Sequence, residues 1–231
     1  MEKISTWNVQ KKVIAVTNRK LCRGDFLTQI EHLCQGGVGR IILREKDLSE
    51  EAYEALARRV LAVCADYGTE CSLHSFVNVA ERLHARSIHL PLSVAKSYAQ
   101  NSMLRRETMS AVGTGKQCSC ENQREKLGGF ETLGISIHSV EEAKEAEACG
   151  ASYVTAGHIF LTDCKKGLPG RGLEFLREVA DQVEIPVFAI GGITGQNVQQ
   201  VMACGASGVC VMSGFMNVTV EEIKKFCYNL S

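Results

Sequence analysis

The sequence predicts an α/β fold, a single (β/α)8 TIM barrel over residues 1–231. Three observations carry this. Short apolar runs alternate with amphipathic helical patterns in eight strand-then-helix units, which implies right-handed crossovers and a parallel sheet. The length of 231 residues suits one such barrel, about 200–250 residues. No G-x-G-x-x-G follows the first apolar run, which disfavours an open dinucleotide-binding sheet.

The units follow in order. Val13 to Thr17 is the first strand, and Asp25 caps a helix with Phe26, Ile30, Leu33 and Cys34 on one face, ended by Gly36-Gly37. Arg40 to Leu43 is the second strand. Ser49 opens a helix running through Tyr67, with Gly68 as its stop. Glu70 to His74 is the third strand, Val77 to His84 a short helix, and Ser87 to Leu90 the fourth strand. From Pro91 to Phe130 the rhythm breaks: a helical stretch gives way to a polar, glycine-containing segment. Residues 97–130 therefore read as a surface insertion, with less order expected there than elsewhere. Thr132 to Ile137, Tyr153 to Ala156, Pro186 to Ile190 and Gly208 to Met212 are strands five to eight. The helices after them are Val140 to Cys149, Leu173 to Val183, Gln196 to Cys204 and Val220 to Tyr228.

Lysine plus arginine equals aspartate plus glutamate, 26 each, for a net charge of zero. That balance argues against nucleic acid or a membrane surface as a partner, since both usually require a basic excess. No apolar run approaches the ~18 residues of a membrane span, and Met1 to Lys12 lacks a signal-peptide core, so a cytoplasmic protein is expected. The sequence allows a homodimer or other homo-oligomer. Of the 11 cysteines, Cys22, Cys34, Cys64, Cys149, Cys204, Cys210 and Cys227 lie singly in or beside helix and strand patterns, as small apolar residues do. An odd, scattered count is no disulfide framework. Cys118-Ser119-Cys120 lacks the C-x-x-C spacing of common zinc sites, and Cys164 reads as a small loop residue before it reads as a nucleophile.

Function is expected at the C-terminal ends of the strands. The segment Gly157 to Gly172, G-H-I-F-L-T-D-C-K-K-G-L-P-G-R-G, is long for a strand-to-helix loop. Its four glycines with Lys165, Lys166 and Arg171 suit a phosphorylated or carboxylated ligand, against the alternative of a solvated loop. Gly191-Gly192 after strand seven and Met212-Ser213-Gly214 after strand eight stand where this fold cradles phosphate. Arg44 and Lys46 stand at the exit of strand two. His74, His89 and His138 follow strands three, four and five, with His158 in the long loop. A structural hydrogen-bonding role or a zinc site would each use such histidines. His138 stands out, because an imidazole there can take and return a proton at neutral pH.

Together Leu43-Arg44-Glu45-Lys46, Gly134 to Ser139, Gly157 to Lys166, Ala189 to Ile193 and Val211-Met212-Ser213 resemble the thiamine phosphate synthase/TenI superfamily of (β/α)8 proteins. The resemblance covers nearly the whole chain outside the insertion. It implies one of two reactions on a small-molecule thiazole phosphate. The synthase couples a pyrimidine pyrophosphate to that phosphate with magnesium. Its pattern carries a glutamine where this chain has Ile42, Asn-Asp-Arg where it has His74-Ser75-Phe76, and an acid after strand four where Ile88 to Val94 has none. The TenI branch is a thiazole tautomerase, an isomerase that needs no cofactor, and the loop Gly157 to Gly172 and Leu90-Pro91 look like its own. On the resemblance, the expectation is therefore a tautomerase of thiamine biosynthesis. In it His138 moves the proton, Gly191, Gly192, Met212, Ser213 and Gly214 hold the phosphate, and Arg44, Lys46 or Lys165 meets the ring carboxylate. The alternatives are a magnesium-dependent synthase and a non-catalytic ligand-binding regulatory protein.

Overall fold

The computed structural model describes residues 12–100, 129–162 and 167–230. Eight parallel strands close in sequence order into a barrel, as the alternation of patterns predicts. They are β1 (Val13–Val16), β2 (Arg40–Leu43), β3 (Glu70–His74), β4 (Ser87–Pro91), β5 (Thr132–Ile137), β6 (Tyr153–Gly157), β7 (Val187–Ile190) and β8 (Gly208–Val211). Helices α1 (Phe26–Gln35), α2 (Glu50–Asp66) and α3 (Val77–Arg82) follow the first three strands. A fourth helix, α4, covers residues 92–100. It is followed after β5 to β8 by α5 (Val140–Ala148), α6 (Gly172–Gln182), α7 (Val198–Met202) and α8 (Val220–Tyr228). Most of the expected insertion, with Cys118 and Cys120, lies outside the described residues. No helix among the described residues is long and apolar enough to cross a membrane.

Helix boundaries follow local chemistry. The Asp25 carboxylate accepts from the Thr28 N–H at 2.9 Å, and Ser49 Oγ accepts from the Ala52 N–H at 3.3 Å. Thr219 and Glu222 form a reciprocal capping box at the start of α8. Helix α7 is shorter at both ends than the sequence pattern suggests. Before it, Asn197 Oδ1 accepts from the Thr194 N–H at 2.9 Å and Asn197 Nδ2 donates to the Gly192 carbonyl at 2.9 Å, so side-chain bonds hold a turn where a helix could have begun.

Strand alternation sorts the barrel into two cores. Outward residues such as Ala15, Ile41, Leu43, Leu73, Ile88, Ile135, Val154 and Ala189 pack under the helices. Inside the barrel, Ile14, Val16, Ile42, Tyr153, Phe188 and Cys210 form a separate cluster. The inward positions of β2 to β6 are otherwise polar. Arg40 is almost fully enclosed, at 2% exposure. Its guanidinium donates to Ser72 Oγ at 2.9 Å and Ser87 Oγ at 2.6 Å, pairs with Glu70, and lies 5.1 Å from the Tyr153 ring centroid. The Tyr153 hydroxyl meets His89 Nδ1 at 3.1 Å. Gly134 fits this layer because a Cβ there would collide with His89 and the Tyr153 ring.

Candidate active site

A cavity of about 400 Å³ opens at the C-terminal end of the barrel, within the ordinary range for small-ligand sites. One wall comes from β2. Alternation after the strand sends Arg44 and Lys46 to the cavity and Glu45 the other way. Glu45, 2% exposed, accepts from Thr17 Oγ1 at 2.7 Å, the Arg19 N–H at 3.0 Å and Arg19 Nη1 at 3.2 Å. Thr17 Oγ1 in turn accepts from the Arg44 N–H at 2.9 Å. The only acid of the R-E-K segment thus anchors the loop and does not face a ligand.

The floor is a histidine–hydroxyl network. His89 Nε2 meets Ser136 Oγ at 2.8 Å, and Thr155 Oγ1 donates to Ser136 Oγ at 3.3 Å. The His74 and His89 rings stack with centroids 5.7 Å apart, and His74 Nδ1 meets Ser75 Oγ at 2.7 Å. The Tyr53 hydroxyl from α2 donates to the Leu43 carbonyl at 2.7 Å and accepts from the His74 N–H at 2.9 Å, fixing the exits of β2 and β3. Burial, then the positive charges of Lys46 and Arg44, push His74 down to about 3. Burial, then His74 and Arg40, holds His89 well below its ordinary value. Both rings are therefore neutral hydrogen-bonders at pH 7. Because these folded-state values lie below the ordinary ~6.5, the neutral rings favour the fold above about pH 6.5, and that contribution fades as pH falls toward 3. For His74, unfolding free energy at pH 5 should be lower than at pH 7 by up to ~2 kcal/mol. Urea titrations at the two pH values, with His74→Gln showing a smaller difference, check this.

His138 is set by its neighbours. Its backbone N–H donates to Glu142 at 2.5 Å in the first turn of α5. Its Nδ1 lies 3.0 Å from the Gly157 carbonyl, and a carbonyl only accepts, so Nδ1 carries the proton and Nε2 has the lone pair. Arg171 Nε donates to the same carbonyl at 3.0 Å.

The opposite wall is the turn after β7 together with a short 3-10 turn, Ser213–Phe215, after β8. The carbonyls of Ile190, Gly191 and Gly192 accept from the Ile159 N–H, the Phe160 N–H and Asn197 Nδ2 at 2.9, 3.0 and 2.9 Å, so none of the three is left to repel an anion. Gly191 has φ +107°, and a Cβ there would come 2.6 Å from the Cβ of His158. Gly191→Ala should consequently strain the turn after β7 and lower stability by about 1–3 kcal/mol, measured by urea denaturation.

These observations give a pocket rich in cations and neutral donors, and its lining has no carboxylate among the described residues. The model of the thiamine monophosphate synthase (TMP-TENI) family matches residues 13–215. The chain belongs to the thiamine monophosphate synthase/TenI family. A thiamine-phosphate synthase of Fusobacterium nucleatum is 31% identical over 220 residues, 95% of each chain. A thiamine-phosphate synthase of Clostridium novyi is 30% identical over 226 residues, covering 96% of this chain and all of the relative. A solved thiamine phosphate pyrophosphorylase from Pyrococcus furiosus superposes with a TM-score of 0.72 at 26% identity, over 96% of this chain and 98% of that one.

These relatives overturn the tautomerase expectation. Similarity along almost the whole barrel is to family members named as synthases, which favours a transferase over an isomerase. The expectation leaned on the loop Gly157 to Gly172, of which residues 163–166 lie outside the described ones, on Leu90-Pro91 and His138, and on departures from the synthase pattern at Ile42, His74-Ser75-Phe76 and Ile88 to Val94. Of the residues singled out in sequence, Arg44, Lys46, His138, Gly191, Gly192, Met212, Ser213 and Gly214 line the one cavity, together with His74, His89 and His158. Lys165 lies outside the described residues. Sequence reasoning passed over Ser136 and Thr155. Their inward parity on β5 and β6, beside His89 on β4, is the signal that would have found them.

Proposed function

We propose that this chain is a thiamine-phosphate synthase, a transferase that couples a pyrimidine pyrophosphate to a thiazole phosphate with release of pyrophosphate. The observation that carries this reading is a cavity with the cations Arg44 and Lys46 on one wall and the glycine turns after β7 and β8 on the other. Membership of a family whose relatives are named as synthases supports it.

The family resemblance brings magnesium with the synthase reaction, and the donors here do not suit that ion. Magnesium takes oxygen ligands and usually one or two carboxylates. The cavity lining offers none among the described residues, Glu45 is engaged elsewhere, and no group of three His, Cys, Asp or Glu residues among them is placed to hold a metal.

The reaction breaks the carbon–oxygen bond of the pyrimidine pyrophosphate, whose pyrophosphate leaves with the electron pair, and the lone pair of the thiazole ring nitrogen forms the new carbon–nitrogen bond. Charge grows on the leaving pyrophosphate in the transition state, where Arg44 and Lys46 stabilise it by proximity in a partly desolvated cleft. The turns after β7 and β8 hold the phosphate of the second substrate, keeping its ring over the His89–Ser136–Thr155 floor. His138, with Nε2 as acceptor, borders the same space.

The test is direct. The purified chain, given both substrates and a divalent cation, should form thiamine phosphate and pyrophosphate in equal amounts. Absence of both products would overturn the proposal.

A further inference from the structure

One cavity residue has no counterpart in that scheme. His158, the first residue after β6, is buried to 93%, with 7% exposure, and lines the cavity. Neither of its ring nitrogens has a hydrogen-bond partner among the described residues. The other three cavity histidines each have one: His74 on Ser75, His89 on Ser136, and His138 on the Gly157 carbonyl. Leaving a buried imidazole unpaired costs stability, and native structures rarely do so without a reason.

The backbone of the residue is held on both sides. The His158 carbonyl accepts from the Arg171 N–H at 2.9 Å, and the next N–H, of Ile159, donates to the Ile190 carbonyl at 2.9 Å. Gly191 lies against the same residue, and a Cβ there would come 2.8 Å from His158 Cα. The residue is therefore fixed beside the glycine turn after β7. Packing alone would be met equally well by a leucine or phenylalanine, with no polar atoms to satisfy.

We propose that His158 is a ligand-binding residue whose imidazole N–H donates to an oxygen of the phosphate ester held by the turns after β7 and β8. A neutral imidazole offers one donor and one acceptor. A phosphate ester, with several acceptor oxygens, meets the donor in a cavity lined by cations. This rests on the reading above only in placing a phosphate in the cavity.

The experiment uses the full chain labelled with ¹⁵N-histidine and titrated with inorganic phosphate, then pyrophosphate. The His158 ring signals, assigned by their loss in His158→Phe, should shift with phosphate, and calorimetry should show phosphate binding about 10-fold weaker in that variant. His158 signals unmoved by saturating phosphate, or unaltered affinity in a folded His158→Phe, would overturn the proposal. So would a wild-type chain that binds no phosphate. If His158→Phe does not fold, a folded His158→Asn supplies both the assignment and the affinity. Coupling of the two substrates is measured in parallel. A chain that forms thiamine phosphate with His158 unmoved leaves the synthase reading standing without this residue. A chain that makes no product while phosphate shifts His158 keeps this inference and removes the synthase.

Discussion

On the proposed synthase reaction, replacing Arg44 and Lys46 together by alanine should lower the rate of thiamine phosphate formation by about 10²–10³-fold, the scale on which a group aimed at developing charge usually acts. Each single variant should lose less, since the remaining cation still faces the departing pyrophosphate. The fold should tolerate the change. Lys46 is exposed, and Arg44 is tied to Thr17 through its backbone N–H, which alanine keeps. Initial rates over a range of both substrates, beside thermal melts, separate the outcomes. A double variant with a wild-type rate, or one that melts far below wild type, would refute this account of the β2 wall.

Arg40→Ala should be the most destabilising single substitution in the barrel interior, at about 3–5 kcal/mol. It removes the donor to Ser72 and Ser87 and the cation beside Tyr153, and leaves a void under the site floor. In a domain of this size that corresponds to a melting temperature lower by roughly 10 °C. Glu70 is 40% exposed and regains water when its partner is lost, so the cost falls on the enclosed side of the pair. Arg40→Met should restore part of the loss, because it fills space without asking for hydrogen bonds. Equilibrium urea denaturation of both variants checks this. Equal stabilities would mean that the hydrogen bonds, and not the filled volume, dominate at this position.

The barrel was readable because each strand is a short apolar run closed by a turn signal, so the strand ends, and with them Arg44, His138, Gly191 and Ser213, could be placed from pattern alone. What escaped depends on inward parity across neighbouring strands. Arg40 looks like an ordinary strand-entry charge until Ser72 and Ser87 are seen to share its side of the sheet. Glu45 belongs by sequence to the cationic segment, yet alternation turns it into the Thr17–Arg19 clamp. His158 could be read as a histidine of the long loop, but its role comes from a missing partner, which only the folded arrangement reveals. The choice between isomerase and transferase was misjudged because local likenesses at Gly157 to Gly172, Leu90-Pro91 and His138, with departures at Ile42 and His74-Ser75-Phe76, weighed more than similarity along the whole barrel.

Below the cavity, the Arg40–Tyr153–His89 layer and the apolar cluster of Ile14, Ile42 and Phe188 fill the barrel from wall to wall. The chamber is thus a cul-de-sac, and everything that enters must leave by the same door. For a reaction that joins two molecules, this imposes a queue. Whichever partner reaches the histidine floor has to arrive before the mouth is occupied, and in the proposed coupling the pyrophosphate has to clear the threshold before the joined product can follow it out.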